Sequence, residues 1–318
     1  MNKRFNRYSL KELEKAKKKV LKEKLSDDLH EVSHPKLILL GGQPGAGKSN
    51  LTRMYKKLLQ GNVVVTDIDE YRKFHPNYKK LTKEYKHSWA SATQEFASEL
   101  GIEINKELCK KKYNVIIDGT LKNLSKTNRL IEQYKANGFT VEVAVVGVKP
   151  EISKTGIISR FTRNVIDNEP ARSVPFLLHD EVIDALPDNL TALQNDKDVQ
   201  GVYVYDREAK CLFDSNVSSG NAGKCIKAIY DEPLTEEEFQ KNKKIINDLI
   251  FPYMPVNSNT REYFDFVTQL RQKHDKVACG ENLEQETAPS KNFIKTFIRN
   301  RAVPTKTSTK QSENELVK

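Results

Sequence analysis

The stretch from Lys36 to Asn50 constrains this chain more than any other. KLILL reads as a short buried strand and runs directly into GGQPGAGKSN, after which LTRMYKKLLQ has the spacing of a helix. Gly42-x-x-x-x-Gly47-Lys48-Ser49 fills the phosphate-loop pattern completely. Glycines let successive main-chain N–H groups turn inward around a phosphate without side-chain clash, and the helix that follows points the positive end of its dipole at the same anion. Gly42, Gln43, Pro44, Gly45, Ala46, Gly47, Lys48, Ser49 and Asn50 are therefore the expected nucleotide contacts. Lys48 would supply a mobile positive charge to the β/γ-phosphates, and the Ser49 hydroxyl a ligand for Mg²⁺, so the expected cofactors are ATP and Mg²⁺.

Further apolar segments alternate with helical ones. NVVVT (62–66) ends in Asp67-Ile68-Asp69, NVII (114–117) is closed by Asp118-Gly119-Thr120, and 140–148 forms a fourth strand. Residues 201–205 and 211–213 suggest a terminal hairpin around Asp206-Arg207-Glu208. This alternation predicts an α/β fold: a doubly wound parallel sheet with helices on both faces. Ligands of such sheets sit beyond the carboxyl ends of the strands, which sets Asp67, Asp69 and Asp118 beside the phosphate loop. A carboxylate there accepts the proton of an attacking hydroxyl or holds magnesium. Arg160, Arg163 and Arg172 form a third cluster, since planar guanidiniums bind phosphate oxygens bidentately.

Three segments are expected: an N-terminal helical piece (1–34), the kinase core (35–215), and a helical, partly disordered extension (216–318). Ser9 and Glu12 have capping-box spacing ahead of a helix, and 151–195 reads as helix broken by prolines. SNVSSGNAG (215–223) reads as a flexible connector, and Thr235 caps a helix that reaches Ile250. The net charge of +10 raises nucleic acid as a partner, but the excess lies in end segments such as Lys11–Lys24, with seven lysines. No base-reading motif accompanies it, so nucleic acid is not expected. Cys109, Cys211, Cys225 and Cys279 are scattered, which fits neither a zinc site nor a disulfide framework. With no membrane-length apolar run and no secretory signal, the expected compartment is the cytoplasm, export as an effector being left open.

One ordered set of segments carries a resemblance: LLGGQPGAGKS (39–49), GNVVVTDIDEYRKFHPNY (61–78), NVIIDGT (114–120), SRF (159–161), PARS (170–173), HD (179–180), LPDNLTAL (186–193) and VYDRE (204–208). Over about 180 residues the chain resembles the zeta toxin family, the kinase half of epsilon–zeta toxin–antitoxin systems. The resemblance implies a kinase that phosphorylates the amino-sugar 3′-hydroxyl of UDP-N-acetylglucosamine. It casts Asp69 as catalytic base, Lys48, Arg160 and Arg172 as phosphate contacts, Asp67 with Ser49 at the metal, and Asp118 and Thr120 at the substrate. Asp118 stands where the family often has glutamate, and Leu121–Lys126 departs from the family pattern. An antitoxin packing near the helix at 9–30 is the implied partner. The alternatives are a kinase of a nucleoside, NAD or a polynucleotide end, and a non-catalytic nucleotide-dependent binding module.

Overall fold

Six strands form one sheet: β1 (Lys36–Gly41), β2 (Val63–Asp67), β3 (Asn114–Asp118), β4 (Thr140–Val146), β5 (Gly201–Tyr205) and β6 (Cys211–Asp214). Their order is β2-β3-β1-β4-β5-β6, and only β6 runs antiparallel, paired with β5 as the expected hairpin. This computed structural model describes residues 6–26 and 28–278, with side chains as far as Gln272. The disordered tail expected after Cys279 lies outside the described residues.

β1 is covered on both faces, so its apolar run is continuous: Leu37, Ile38, Leu39 and Leu40 are all buried. Successive side chains take opposite faces. Leu37 and Leu39 join the larger core with the helices Leu10–Lys24, Gln94–Leu108, Leu124–Lys135, Phe176–Gln194 and Ala222–Asp231. Ile38 and Leu40 join the smaller core with Leu51 and Tyr55 of the helix Ser49–Leu58. Crossover handedness explains the asymmetry. The step from β1 to β2 crosses the sheet in one direction, and those from β2 to β3, β3 to β4 and β4 to β5 in the other. Right-handed connections must then place the phosphate-loop helix on one face and the later crossover helices on the other.

Two expectations from the sequence are corrected. First, the boundary at 215 does not separate packing units: the chain divides into 1–267 and 268–318, and of the second unit only 268–278 are described. The supposed connector ends in a tight cap, where Asn221 Oδ1 accepts from the amide of Lys224 and from Thr191 Oγ1. The helix Ala222–Asp231 then buries Ala222, Ile226 and Tyr230 in the larger core. Likewise the helix Leu10–Lys24 is no separate segment, because Leu13, Ala16 and Val20 pack into that core. Second, Pro187 lies inside the helix Phe176–Gln194 rather than breaking it. Burial of Leu186, Leu190 and Leu193 outweighs the lost main-chain hydrogen bond.

Gly223 tests whether this C-terminal helix belongs to the fold. A Cβ there would stand 2.1 Å from the carbonyl oxygen of Pro187 and 2.3 Å from Thr191 Oγ1. In a loosely attached helix Gly223→Ala would gain about 1 kcal/mol in helix propensity. Against this packing it is expected to lose about 1–3 kcal/mol, measured by urea denaturation.

Candidate kinase site

The phosphate loop owes its shape to backbone that only glycine adopts easily. Gly45 and Gly47 have φ of +80° and +92°, and a Cβ on Gly45 would lie 2.0 Å from the carbonyl oxygen of Ser153. The loop therefore rests directly on the backbone of the helix Pro150–Ile166. Two of the loop residues also have partners within the protein. Gln43 is fully buried, donating to the Val148 carbonyl at 2.7 Å and accepting from Tyr230 Oη at 2.9 Å. Its amide is thus a peg that holds the loop. The amide of Ala46 donates back to the Gln43 carbonyl at 3.1 Å. Lys48 lies across the loop, 3.4 Å from the Gly42 carbonyl and 3.5 Å from Asp118 Oδ1.

The carboxylates converge because β1, β2 and β3 end side by side, with Asp67 registered opposite Asp118. Asp67 Oδ1 accepts from the amide of Asp69 at 2.8 Å and caps the short helix Ile68–Tyr71. Burial, and then the negative charges of Asp69 and Asp118, push the Asp67 carboxyl up to about 6. Asp118 is raised by burial too, with the Lys48 ammonium pulling it back. Asp69 goes the other way. Enclosure in the cleft raises it, but Arg172 and Arg72 outweigh that and hold it below the ordinary carboxylate value. Arg172 grips it bidentately, through Nη1 to Oδ1 at 2.8 Å and through Nη2 to Oδ2. Even so, the Asp69 side chain remains 41% exposed, so an acceptor can reach it.

Arg160 lies within electrostatic reach of Arg172, Asp69 and Asp67, and forms no ion pair among the described residues. It is the uncommitted guanidinium of the cleft. Arg163, one turn later, borders a neighbouring cavity instead of joining this cluster. Thr120 Oγ1 accepts from the amide of Lys122 at 3.4 Å, leaving its proton free to be donated. Beside it Leu121 has φ of +55°, a costly conformation for a branched side chain. Asn189 pins that turn, donating from Nδ2 to the carbonyls of Leu121 and Lys122, each at 2.8 Å.

Sequence reasoning missed three residues here. Arg72 is buried, its Nε donating to Asp69 Oδ1 at 3.0 Å while Nη1 and Nη2 bind the Ala90 carbonyl and Gln94 Oε1. Its signal was available: a basic residue three positions after Asp69, one helical turn away. Arg207, just past β5, reaches over the loop; a Cβ on Gly47 would stand 3.1 Å from its Nε. Its place at a strand's carboxyl end was the clue. Asn189 had none, since a helical asparagine is ordinarily a surface residue.

The zeta toxin family profile matches residues 21–218, more than half of the chain. The chain belongs to the zeta toxin family. It is 30% identical to Toxin PezT of Streptococcus pneumoniae serotype 4 over 220 residues, 68% of this chain and 87% of the relative. It is 31% identical to Toxin zeta of Streptococcus pyogenes over 205 residues, 62% of this chain and 71% of that one. A solved structure from the PezAT chromosomal toxin–antitoxin system of S. pneumoniae superposes with a TM-score of 0.69 at 27% identity, covering 77% of this chain and 98% of that one. The structure of AvrRxo1-ORF1:-ORF2 with ATP shares the fold at a TM-score of 0.51 and 16% identity, covering 74% and 78%. The zeta toxin match contains the phosphate loop, all three carboxylates and Arg72, Arg160, Arg172 and Arg207, and stops ahead of the helix Ala222–Asp231.

The raised Asp67 carboxyl has a consequence for stability. An acid whose value is higher folded than unfolded binds its proton more tightly in the native state, so its contribution falls as pH rises from 3.8 to about 6. Asp67→Asn removes this loss while keeping an oxygen for the Asp69 amide. The difference in Tm, variant minus wild type, is expected to move in the variant's favour between pH 4 and pH 7, as read by circular dichroism melts.

Proposed function

We propose that this protein is an ATP-dependent kinase whose acceptor is the amino-sugar 3′-hydroxyl of UDP-N-acetylglucosamine, and that it acts as the toxin of a toxin–antitoxin pair. The observation that carries the kinase reading is Asp69: a solvent-reachable carboxylate at the end of β2, held by Arg172 and Arg72 in the cleft that also contains Asp118, Lys48 and Arg160. Membership in the zeta toxin family supports the acceptor, and likeness to Toxin PezT, Toxin zeta and the PezAT toxin–antitoxin structure supports the toxin and antitoxin roles.

The acceptor oxygen attacks the γ-phosphorus, the new O–P bond forms, and the bond to the β,γ-bridging oxygen breaks to release ADP. Asp69 accepts the hydroxyl proton. It does so only once Arg172 has let go of it, because a carboxylate in a bidentate guanidinium pair is a weak base. Arg172, drawn to the phosphate, leaves Asp69 more basic at the moment a proton must be taken. Arg72 keeps the carboxylate in place meanwhile, its other nitrogens being tied to the Ala90–Gln94 segment. Lys48 exchanges Asp118 for the β/γ-phosphates, which frees Asp118 to accept from a sugar hydroxyl. The Ser49 hydroxyl and the Asp67 carboxylate, both hard oxygen donors, would hold Mg²⁺, which would supply charge neutralisation on the triphosphate.

The antitoxin would meet the outer face of the helix Leu10–Lys24. Its inner face is already used by the fold, leaving Leu10, 79% exposed, and the lysine-rich side for a partner. Among the described residues no helix is long and apolar enough to cross a membrane.

Asp69→Asn is expected to lower kcat for phosphoryl transfer by about 10²–10⁴-fold while ATP affinity stays near that of the wild type. The assay is mass spectrometry of UDP-N-acetylglucosamine incubated with Mg-ATP, read as the gain of one phosphate. Wild-type protein that leaves the sugar nucleotide untouched but modifies another metabolite defeats the acceptor; an unimpaired Asp69→Asn defeats the base.

A further inference from the structure

Next to the phosphate loop lies a cavity of about 670 Å³ that the chemistry above does not use. We infer that it receives the base and ribose of ATP, and that the helix Glu236–Ile245, beyond the part of the chain matched by the family, forms the wall that selects them. The inference rests on the phosphate-loop reading and extends it.

Position comes first. The cavity is bordered by Gly147 and Val148, just past β4, and by Asp206 and Arg207, just past β5. It therefore sits at the carboxyl edge of the sheet, on the side of β1 away from β3. Two arginines belong to both places. Arg207 lines the cavity and also reaches Gly45, with Nη2 3.4 Å from its carbonyl oxygen, while its own carbonyl accepts from Asn50 Nδ2 at 2.7 Å. Arg160 lines the cavity and also faces the carboxylates. A triphosphate lying along the loop thus has this space beside it, and the acceptor pocket at Asp118 and Thr120 lies on the other side of β1.

Size and chemistry agree with a nucleoside. The volume falls within the range of about 300–1,000 Å³ typical of small-molecule sites. Ile152, Ile229 and Ile245 contribute apolar lining suited to a planar base. Asn242 also borders it; the residue is only 3% exposed, and its Nδ2 has no hydrogen-bond partner. A buried amide left without an acceptor is costly, and a ring nitrogen or carbonyl of a base supplies one.

The wall is fastened rather than merely adjacent. Lys149, buried at the start of the helix Pro150–Ile166, donates to the Pro233 carbonyl at 2.8 Å and to Glu238 Oε2 at 2.7 Å. Glu238 also closes the capping box with Thr235, so one carboxylate starts the helix and ties it to the end of β4.

Calorimetric titration of the full chain with ATP and, separately, with inorganic tripolyphosphate, both as magnesium salts, tests the inference. The wild type should bind both, and ATP more tightly. Ile245→Trp, which fills the cavity, and Asn242→Leu, which keeps its shape but removes the amide, should each weaken ATP at least tenfold and leave tripolyphosphate within twofold. Asn242→Leu buries no new polar group and guards against a misfolded Ile245→Trp; both are checked by thermal melts. The inference is overturned if folded variants bind ATP as the wild type does, if both ligands weaken together, or if the wild type binds tripolyphosphate as tightly as ATP. Wild-type protein that binds neither ligand defeats the phosphate-loop reading instead.

Discussion

β1 hydrogen-bonds to β3 along one edge and to β4 along the other, with Leu40 registered to Asp118 on one side and Ala144 on the other. That double pairing governs the rest of the molecule. Because β1 is central, the loop that leaves it is flanked by the strand carrying Asp118 and by the strand that leads into the helix Pro150–Ile166. The helix bears Arg160 and supports the loop through its backbone. Were β1 at an edge, the same glycine loop would lack either the carboxylate beside it or the floor beneath it.

The charges in the cleft have to be arranged because none of them is free to leave. Three carboxylates meet where β2 and β3 end, and burial, followed by their mutual repulsion, pushes Asp67 and Asp118 above the ordinary carboxylate range. Lys48, Arg72 and Arg172 offset it. Each of these cations except Arg72 also serves as a phosphate ligand in the proposed chemistry. Arg72 differs because its guanidinium is locked by carbonyl and amide oxygens, so it cannot follow a phosphate away from Asp69. In that proposed chemistry one arginine fixes the carboxylate and the other gates it. A second buried chain of polar groups, Gln43 to Ser153 to His179 to Asp180, couples the loop to the helix Phe176–Gln194.

The strands, the phosphate loop and the carboxylates at the strand ends were legible in the sequence, because each depends on local pattern: apolar runs, glycine spacing, an acid following a strand. The role of the Gln43 side chain was hidden for the opposite reason. Nothing in the loop motif points to Tyr230, nearly two hundred residues later, which donates to its amide oxygen. The linker-like composition of 215–223 misled in the same way, since Ser, Gly and Asn serve equally well in a tight cap and in a loose connector. Only the packing of Gly223 on the helix Phe176–Gln194 tells the two apart.

By itself the sequence determined that a strand–loop–helix unit with the phosphate-loop pattern would form and that acidic residues would stand at the ends of neighbouring strands. Those outcomes follow from short-range sterics and from the handedness of strand connections, which hold wherever the pattern occurs. The tertiary structure alone decided that Arg172 and Arg72 both hold Asp69, which side chains lock the loop, and that the helix Glu236–Ile245 walls the space beside it. Apart from Arg72 with Asp69, such pairings join residues 84 to 187 positions apart, and chain order carries no information about which of several chemically similar groups will meet.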